Sequence, residues 1–299
     1  MILVGLPASL WQSRAMNRIA YVNGAFLPLE EATVSILDRG FLFADGIYEV
    51  TAVIDGRLVD TPRHMARLER SAHEIDMRLR ETPAQIAAIE AELISRNALR
   101  EGLVYLQATR GAADRDFLPS PDLEPTLILF TQAKPLVDAP AAGTGITVAS
   151  IPDIRWGRRD IKSVMLLAQV LAKQEAARAG AQDAWLVADG MVTEGASSTA
   201  WIVTAGGTLV TRAHSHVTLP GCTGDALAAL AGELGLTIEL RPFSLEEAYA
   251  AAEAFNSAAG TLILPVVAID GRPIGDGAPG PVTKRMRELY IDFARRAAE

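Results

Sequence analysis

The stretch Asp160-Ile161-Lys162-Ser163 stands directly before a long apolar run, and it does most to decide the fold of this chain. Because serine is a common N-terminal cap, the pattern predicts a helix over 163–179, with Lys162 where a loop meets that helix. Apolar neighbours and the cationic Arg158 and Arg159 would favour the neutral amine, which is the form that attacks carbonyl groups. A solvated surface lysine is the alternative interpretation.

The second informative stretch is Val192-Thr193-Glu194-Gly195, which follows an Asp189-Gly190 turn. The turn predicts a hairpin, and the small residues over 195–199 would let a ligand approach the backbone closely. Glu194 is therefore either an inward carboxylate beside a ligand or an edge-strand carboxylate in water. An amine and a carboxylate are the two groups that pyridoxal phosphate needs, one for a Schiff base and one for its pyridine nitrogen.

A glycine-rich turn, Pro220-Gly221-Cys222-Thr223-Gly224, precedes a helical pattern rich in alanine and leucine. Backbone N–H groups at such a helix N-terminus can bind phosphate, although a plain turn is the alternative. The sequence has neither a Walker lysine motif nor a GxGxxG motif in a βαβ unit. Nucleoside triphosphates and dinucleotides are therefore poorly supported as ligands.

The composition is ordinary for a soluble enzyme, with 49% hydrophobic and 21% charged residues among 299. A net charge of -8 argues against nucleic-acid binding, which needs a basic patch.

The single cysteine, Cys222, excludes an intramolecular disulfide. The segment His214-Ser215-His216 lacks further ligands at helical spacing, so we expect no metal site. The apolar segment 1–11 lacks a basic n-region and is too short to span a bilayer. We expect a cytoplasmic protein without a membrane partner.

Strand patterns, helical patterns and hairpin turns are interleaved along the chain, which indicates an α+β fold rather than a doubly wound parallel sheet. The hairpin turns are expected at Asn23-Gly24, Asp55-Gly56, Asp189-Gly190 and Gly206-Gly207. The helices are expected over 64–75, 82–97, 163–179, 224–234, 245–252 and 282–297. We predict an N-terminal extension over 1–17, a small α+β domain over 18–133, an interdomain linker over 134–145 and a large α+β domain over 146–299.

Over 19–290 the sequence resembles the fold-type IV pyridoxal phosphate enzymes, and most closely the D-amino-acid transaminases. The resemblance is carried by Asp38-Arg39-Gly40, Phe43-Ala44-Asp45-Gly46-Ile47-Tyr48-Glu49-Val50, His64-Met65-Ala66-Arg67-Leu68, Tyr105-Leu106-Gln107-Ala108-Thr109-Arg110-Gly111, Asp153-Ile154-Arg155-Trp156, Leu171-Ala172-Lys173-Gln174-Glu175-Ala176 and the stretches around Lys162 and Glu194. It implies two α+β domains with pyridoxal 5'-phosphate between them, in a homodimer whose partner loop completes the pocket.

The same resemblance implies a ping-pong transfer of an amino group from a D-amino acid to a 2-oxo acid such as 2-oxoglutarate or pyruvate. Lys162 would bind the cofactor and shuttle the substrate proton, and Glu194 would pair with the pyridine nitrogen. Arg67 would bind the phosphate together with the Cys222-Thr223 turn. Tyr48 would lie on the substrate side.

Two segments depart from the pattern of that family. The loop over 111–119 contains Arg115, which could clamp the substrate carboxylate or face solvent, but it lacks the histidine that usually accompanies this arginine. The segment 255–261 has fewer hydroxyl residues than relatives carry near the phosphate, so we expect weaker cofactor retention. We hypothesise that the altered loop relaxes carboxylate recognition and admits some (R)-primary amines.

Other functions remain open at this point. The missing histidine favours an (R)-selective amine transaminase on the same scaffold. A branched-chain aminotransferase and an aminodeoxychorismate lyase are further members of the family, and the Asp-Ile-Lys-Ser and Tyr-Glu-Val contexts disfavour the lyase. A cofactor-free binding protein is a rival from another class, which the intact Lys162 and Glu194 oppose.

Overall fold

Two β-sheets organise the part of the chain that this computed structural model describes, residues 18–233 and 235–297. The strands of the first sheet are β1 (Ile19–Val22), β2 (Ala25–Pro28), β3 (Gly46–Ile54), β4 (Arg57–Leu58), β5 (Gly102–Thr109) and β6 (Thr126–Ala133). They pair antiparallel in the order β2-β1-β6-β5-β3-β4. The N-terminal extension predicted over 1–17 lies outside the described residues.

The hairpin turns of this sheet form where the sequence predicts them. Asn23 and Gly24 join β1 to β2 with φ angles of 47° and 100°, and Asp55 and Gly56 join β3 to β4 with φ angles of 54° and 80°. Two consecutive residues with positive φ match the right-handed twist of the flanking strands. Asparagine, aspartate and glycine adopt this conformation at the lowest cost.

Three helices accompany the first sheet: α1 (Arg39–Phe43), α2 (Thr61–Glu74) and α3 (Pro83–Arg96). The helix α3 begins with a capping box, in which Thr82 and Gln85 satisfy each other's backbone N–H groups. Met65, Leu68 and Ala72 of α2 are buried in the core of this sheet. The prediction for α2 was three residues short at its N-terminus, and α1 was not predicted.

The second sheet contains β7 (Ile146–Pro152), β8 (Asp183–Ala188), β9 (Met191–Gly195), β10 (Thr199–Val203), β11 (Leu209–Thr211), β12 (Ile238–Leu240), β13 (Phe243–Ser244), β14 (Glu253–Ala258), β15 (Leu262–Ile269) and β16 (Arg272–Pro273). Its order is β12-β11-β10-β14-β15-β7-β8-β9-β13, and β16 pairs with β15. The strand β7 runs parallel to both neighbours, whereas most other pairs are antiparallel. This mixed sheet agrees with the predicted α+β class.

The remaining helices are α4 (Pro140–Thr144), α5 (Leu167–Arg178), α6 (Cys222–Glu233), α7 (Leu245–Tyr249) and α8 (Pro281–Ala297). Ala172 and Ala176 of α5 pack against β7 and β8 through buried small side chains. The helices α6 and α8 share a core with β14 and β15. The limits predicted for the two domains stay a prediction, although each sheet takes its strands from only one of those ranges.

One helix prediction was wrong at its start, and the error concerns the candidate catalytic lysine. The helix α5 begins at Leu167 rather than at Ser163, and Ser163 forms a β-bridge with Ile47 instead. The backbone N–H of Val164 donates to Gly46 O at 3.0 Å, and that of Tyr48 donates to Lys162 O at 2.9 Å. Pairing with β3 therefore extends this segment, and the lysine is held beside the first sheet.

Two smaller differences also bear on the site. The helix predicted to begin at Gly224 begins at Cys222, so Cys222 and Thr223 belong to its first turn. The predicted linker over 134–145 contains the short helix α4. Among the described helices, none combines the length and the apolar character needed to cross a membrane.

Candidate active site

A cavity of about 430 Å³ lies where residues of both sheets meet. Six of the seven predicted site residues line it: Tyr48, Arg67, Lys162, Glu194, Cys222 and Thr223. Chain segments far apart in sequence therefore converge on one volume. The seventh residue, Arg115, is not among the described residues that line the cavity.

Lys162 projects into this cavity from the extended segment before α5. Its backbone is fixed on both sides, because its N–H donates to Ser71 Oγ at 3.2 Å and its carbonyl oxygen accepts from Tyr48. The Nζ atom lies 4.1 Å from the centroid of the Tyr48 ring. The amine thus lies at the face of an aromatic side chain and within reach of a ligand in the cavity.

Tyr48 belongs to a row of stacked aromatic rings on the first sheet. Its ring centroid lies 5.7 Å from that of Tyr105, which lies 4.9 Å from that of Phe130. Burial raises the pKa of Tyr105 to about 12, and its hydroxyl donates to Gln107 at 2.9 Å. The stack fixes the Tyr48 ring beside the lysine.

Glu194 is buried at the end of β9, as the hairpin prediction requires for an inward carboxylate. Burial raises the pKa of Glu194, while a direct ion pair with Arg155 and the backbone N–H of Leu219 oppose that shift. Arg155 is held in turn by Asp153, with an Nη2–Oδ2 distance of 2.7 Å. The carboxylate is therefore shielded from water, and the positive charge of Arg155 favours its ionised form.

Arg67 is held by a buried carboxylate that the sequence reasoning did not assign. Its Nε and Nη2 atoms donate to Glu49 at 2.7 and 2.8 Å, and its Nη1 donates to Pro220 O at 2.7 Å. The bidentate pair aligns the guanidinium group with the turn that precedes α6. Arg67 therefore joins α2, which packs on the first sheet, to the turn at Pro220, where a phosphate group could bind.

His64 extends this network to the cysteine of the same turn. Its Nδ1 lies 2.8 Å from Glu49 Oε2, and both side chains are buried. Burial alone would lower the pKa of His64, but hydrogen bonds with Cys222 and Glu49 raise it to about 9. Glu49 and His64 belong to the sequence motifs around Tyr48 and Arg67, but the sequence analysis assigned no role to either residue.

The first turn of α6, next to Arg67, is a candidate anion-binding site. Gly221 passes so close to Thr199 that a Cβ atom there would lie 2.6 Å from Thr199 Oγ1. The Thr223 side chain is buried and hydrogen-bonds to Tyr290, whose hydroxyl also contacts Asp60 at 3.1 Å. A helix N-terminus combined with a fixed arginine suits a phosphate group.

Several buried polar atoms around the cavity have no hydrogen-bond partner among the described residues. They are Arg159 Nε, Gln169 Oε1, Ser198 Oγ, Asn256 Nδ2 and Thr261 Oγ1. Buried polar groups are almost always satisfied in folded proteins. This accumulation at one cavity fits a polar ligand, such as pyridoxal phosphate, with acceptor and donor groups on several sides.

Arg115 lies on an exposed loop and contacts aromatic side chains rather than the cavity. Its guanidinium carbon lies 5.2 Å from the centroid of Phe43 and 5.4 Å from that of Phe117. The buried Arg39 holds this loop by donating to the carbonyl oxygens of Asp116 at 2.5 Å and Phe117 at 3.0 Å. The role of Arg115 toward substrate stays a prediction.

The two histidines of the His214-Ser215-His216 loop do not gather metal ligands. His214 Nε2 pairs with Asp225 Oδ1 at 2.7 Å, in an exposed position. Within the described part of the chain, no group of three or more His, Cys, Asp or Glu side chains is arranged to hold a metal ion.

The fold and the site define an aminotransferase of class IV, and the chain belongs to the amino-transferase class IV family, whose model matches residues 46–269. It is similar to D-alanine aminotransferases from Staphylococcus haemolyticus, at 36% identity over 91% of this chain and 96% of that protein, and from Bacillus licheniformis, at 37% identity over 89% of this chain and 93% of that protein.

Among solved structures, a T.th. branched-chain amino acid aminotransferase with pyridoxamine 5'-phosphate has a TM-score of 0.85 at 27% identity, covering 93% of this chain and 94% of that one. The branched-chain aminotransferase from Thermoproteus uzoniensis with norvaline has a TM-score of 0.82 at 25% identity, covering 91% of this chain and 93% of that one. The predicted fold-type IV architecture, the aminotransferase class and the pyridoxal 5'-phosphate cofactor are thereby confirmed.

Proposed function

We propose that this chain is a pyridoxal-phosphate-dependent transaminase that moves an amino group from a D-amino acid to a 2-oxo acid by a ping-pong mechanism. The proposal rests on one observation: Lys162, Glu194 and Arg67 all line the same cavity. The D-amino-acid preference is supported by the D-alanine aminotransferases among its relatives. The proposal includes a cytoplasmic location, supported by the composition.

The residues around the cavity would make three contacts with the cofactor. Arg67 and the first turn of α6, with Cys222 and Thr223, would hold the phosphate. Glu194 would accept a hydrogen bond from the pyridine nitrogen, and Lys162 would bind the aldehyde carbon. When bound, pyridoxal phosphate supplies an electron sink for the carbanion that forms when the substrate loses its α-proton.

The protein's own groups supply the proton chemistry. Lys162 Nζ moves the proton from the substrate α-carbon, and the Tyr48 ring at 4.1 Å limits where that amine can point. Arg155 opposes the rise that burial produces in the pKa of Glu194, and this ion pair favours the ionised carboxylate that would pair with the pyridine nitrogen. Glu194 is buried, so little solvent reaches its carboxylate.

The proposal includes a homodimer, which is supported by large apolar side chains on the surface. Phe41, Phe117 and Leu118 around the Arg115 loop are 76%, 77% and 82% exposed. Leu167 on α5 is 69% exposed. Burial of these side chains against a second copy would bring the Arg115 loop toward the partner's cavity, where Arg115 would clamp the substrate α-carboxylate.

Replacing both Phe117 and Leu118 by aspartate is expected to convert the dimer into a monomer. The two charges would be desolvated in the interface, and each would cost several kcal/mol. Light scattering should give about twice the 31.9 kDa chain mass for the unchanged protein and a single chain mass for the variant. Leu240→Asp is the matched control, because Leu240 is 59% exposed at the β12 edge of the second sheet. A monomeric unchanged protein would contradict the dimer.

The decisive test of the function is a single half-reaction. The pyridoxal form of the enzyme is mixed separately with D-alanine, L-leucine and (R)-1-phenylethylamine, and the loss of its absorption band is followed. Fast loss with D-alanine is the expected result. Loss with L-leucine alone would replace the proposal by a branched-chain aminotransferase, and no loss with any amine would leave a lyase or a non-catalytic protein.

An (R)-selective amine transaminase is the second candidate, and the Arg115 loop favours it. The loop lacks the histidine expected beside the arginine, and Arg115 contacts Phe43 and Phe117 within its own chain. Loss of the band with (R)-1-phenylethylamine alone would support this candidate. Good conversion of D-alanine without any turnover of the amine would contradict it.

A further inference from the structure

Arg287 on α8 is a buried cation that has no part in the roles assigned above. Its Nη1 donates to the carbonyl oxygens of Thr261 at 3.2 Å and Ile263 at 2.5 Å, and its Nη2 donates to those of Leu136 and, at 3.0 Å, of Val137. All four acceptors are backbone carbonyl oxygens, although the residue is only 8% exposed. Burying a charge without a carboxylate partner is costly, so stability is a weak reason for this arrangement. The contacts indicate instead that Arg287 fixes the position of the chain around it.

The four carbonyl groups belong to two segments that are far apart in sequence. One segment is the turn 258–261, which connects β14 to β15, and we call it the cavity turn because all four of its residues line the cavity. Thr261 is its last residue, and Ile263 follows in β15. The other segment, residues 134–137, directly follows β6 of the first sheet, and we call it the linker start. Arg287 therefore connects the chain that leaves the first sheet to a wall of the cavity that belongs to the second sheet.

Further side-chain contacts fasten the linker start at both of its ends. Glu101 directly precedes β5, and its Oε1 accepts from the backbone N–H groups of Leu136 and Val137, both at 2.6 Å. Lys134 Nζ donates to Gly260 O, in the cavity turn, at 2.6 Å. The Leu136 side chain is fully buried in the core that α6 and α8 share with β14 and β15. The linker start is thus tied to the first sheet through Glu101 and to the cavity turn through two cations.

The relative position of the two sheets matters for the chemistry of the site. Lys162 is held by β3 of the first sheet, whereas Glu194 lies on β9 of the second. A displacement of about 1 Å between reacting groups can cost about 100-fold in rate. We propose that Arg287 is a positioning residue for the reaction, because it holds the cavity turn in a fixed place relative to the sheet that carries Lys162. This inference rests on the proposed transaminase function and adds a residue outside the cavity on which the rate depends.

The first test separates position from stability. Arg287→Ala should lower the rate of the half-reaction at saturating D-alanine about tenfold, at a temperature where circular dichroism shows a folded protein. Guanidinium ion, added far below the concentration that unfolds the protein, should restore much of that rate by occupying the vacated space. Arg287→Lys keeps the charge, but a single nitrogen cannot span the carbonyl oxygens of both segments, so the rate should again fall.

Arg285→Ala, at an exposed arginine on the same helix, is the matched control. It should leave the half-reaction unchanged, because Arg285 pairs with Glu288 on the surface of α8. A lower melting temperature of Arg287→Ala with an unchanged rate at saturating D-alanine would make Arg287 a merely structural residue and would overturn the inference.

Hydrogen–deuterium exchange tests the same contacts without any need for catalysis. In the holoenzyme, Arg287→Lys should speed exchange of the backbone N–H groups about tenfold in both the linker start and the cavity turn, since both segments lose a fixed contact. Unchanged exchange in the two segments would overturn the inference. Glu101→Ala frees the linker start without altering Arg287 and should also lower the rate with D-alanine, so a test remains if Arg287→Ala does not fold. If no D-amino acid reacts with the unchanged enzyme, the proposed function fails, and the exchange result still decides whether Arg287 holds the two segments.

Discussion

Replacing Glu194 by glutamine should lower kcat for D-alanine about 100-fold, the effect typical of removing one preorganised charge from an active site. The side chains are nearly isosteric, so the change removes the negative charge without opening a cavity. A neutral amide no longer favours a protonated pyridine nitrogen, and the ring then withdraws electrons less strongly. Stopped-flow absorbance of the half-reaction with D-alanine measures the change.

The fold should survive Glu194→Gln because Arg155 keeps a second carboxylate. Asp153 bonds to Arg155 through Nε at 2.9 Å and through Nη2 at 2.7 Å, so the guanidinium group is not left unpaired. Glu288→Gln is a suitable control, because Glu288 also pairs with an arginine, Arg285, but on the exposed face of α8. An unchanged rate in Glu194→Gln would mean that the ring nitrogen lies elsewhere.

Local signals were sufficient for much of the fold. The pairs Asn23-Gly24 and Asp55-Gly56 adopt positive φ because short polar residues and glycine tolerate it, and the sequence alone reveals this. The helix predicted over 82–97 forms as α3, and Thr82 and Gln85 close its N-terminus with a capping box. These features depend on residues within a few positions of each other, so a single sequence contains all the information needed.

The start of α5 shows where local reasoning fails. Ser163 has the side chain of a helix cap, yet its segment pairs with β3, which lies far earlier in the chain. The hydrogen bonds from Val164 N–H to Gly46 O and from Tyr48 N–H to Lys162 O satisfy backbone groups that a helix would otherwise have satisfied. Long-range pairing overrides a local preference that is worth only about 1 kcal/mol.

Six of the seven predicted site residues line the cavity, and their roles stay predictions, whereas the side chains that hold them in place were not predicted. Lys162, Glu194 and Arg67 were identified from motifs, whereas their partners Arg155 and Glu49 were only part of the quoted segments. A buried ion pair such as Arg67–Glu49 becomes visible only when α2 is packed on β3. In the proposed homodimer, Arg115 would also face a second copy of the chain, and no local sequence pattern specifies that contact.

The ion-pair partners of the site residues also explain how a cavity with so many charges can be stable. Glu49 lies between Arg67 and His64, so burial of its carboxylate is offset by two cations, which together lower its pKa. Glu194 has one cation, Arg155, and its pKa is raised by burial. Glu90 on α3 is a buried carboxylate that has no cation in direct contact among the described residues, and one of its two oxygens also lacks a hydrogen-bond partner there.

Glu90 should make the protein less stable as the pH rises from about 5 to 8. Burial raises its pKa to about 7, with His64 and Thr51 opposing and the nearby Glu49 adding to the shift. Its Oε1 accepts from Thr51 Oγ1 at 3.3 Å, and its Oε2 has no partner among the described residues. The unfolded chain ionises near 4.5, so folding holds a proton that the unfolded state releases, and stability falls between these two pKa values.

Glu90→Gln should remove this pH dependence, because an amide cannot ionise. The folded and unfolded pKa values differ by about 2.5, and because the unfolded-state carboxyl is already partly ionised at pH 5, the variant should gain about 2.5 kcal/mol at pH 8 relative to pH 5. His64, whose pKa of about 9 also makes stability fall with pH, is present in both proteins, so the difference between them reports Glu90 together with its charge interaction with His64. Urea unfolding followed by tryptophan fluorescence at pH 5 and pH 8 measures the difference. Glu92→Gln, two residues along α3 and 48% exposed, should show no such gain, and an equal gain there would exclude burial of Glu90 as the cause.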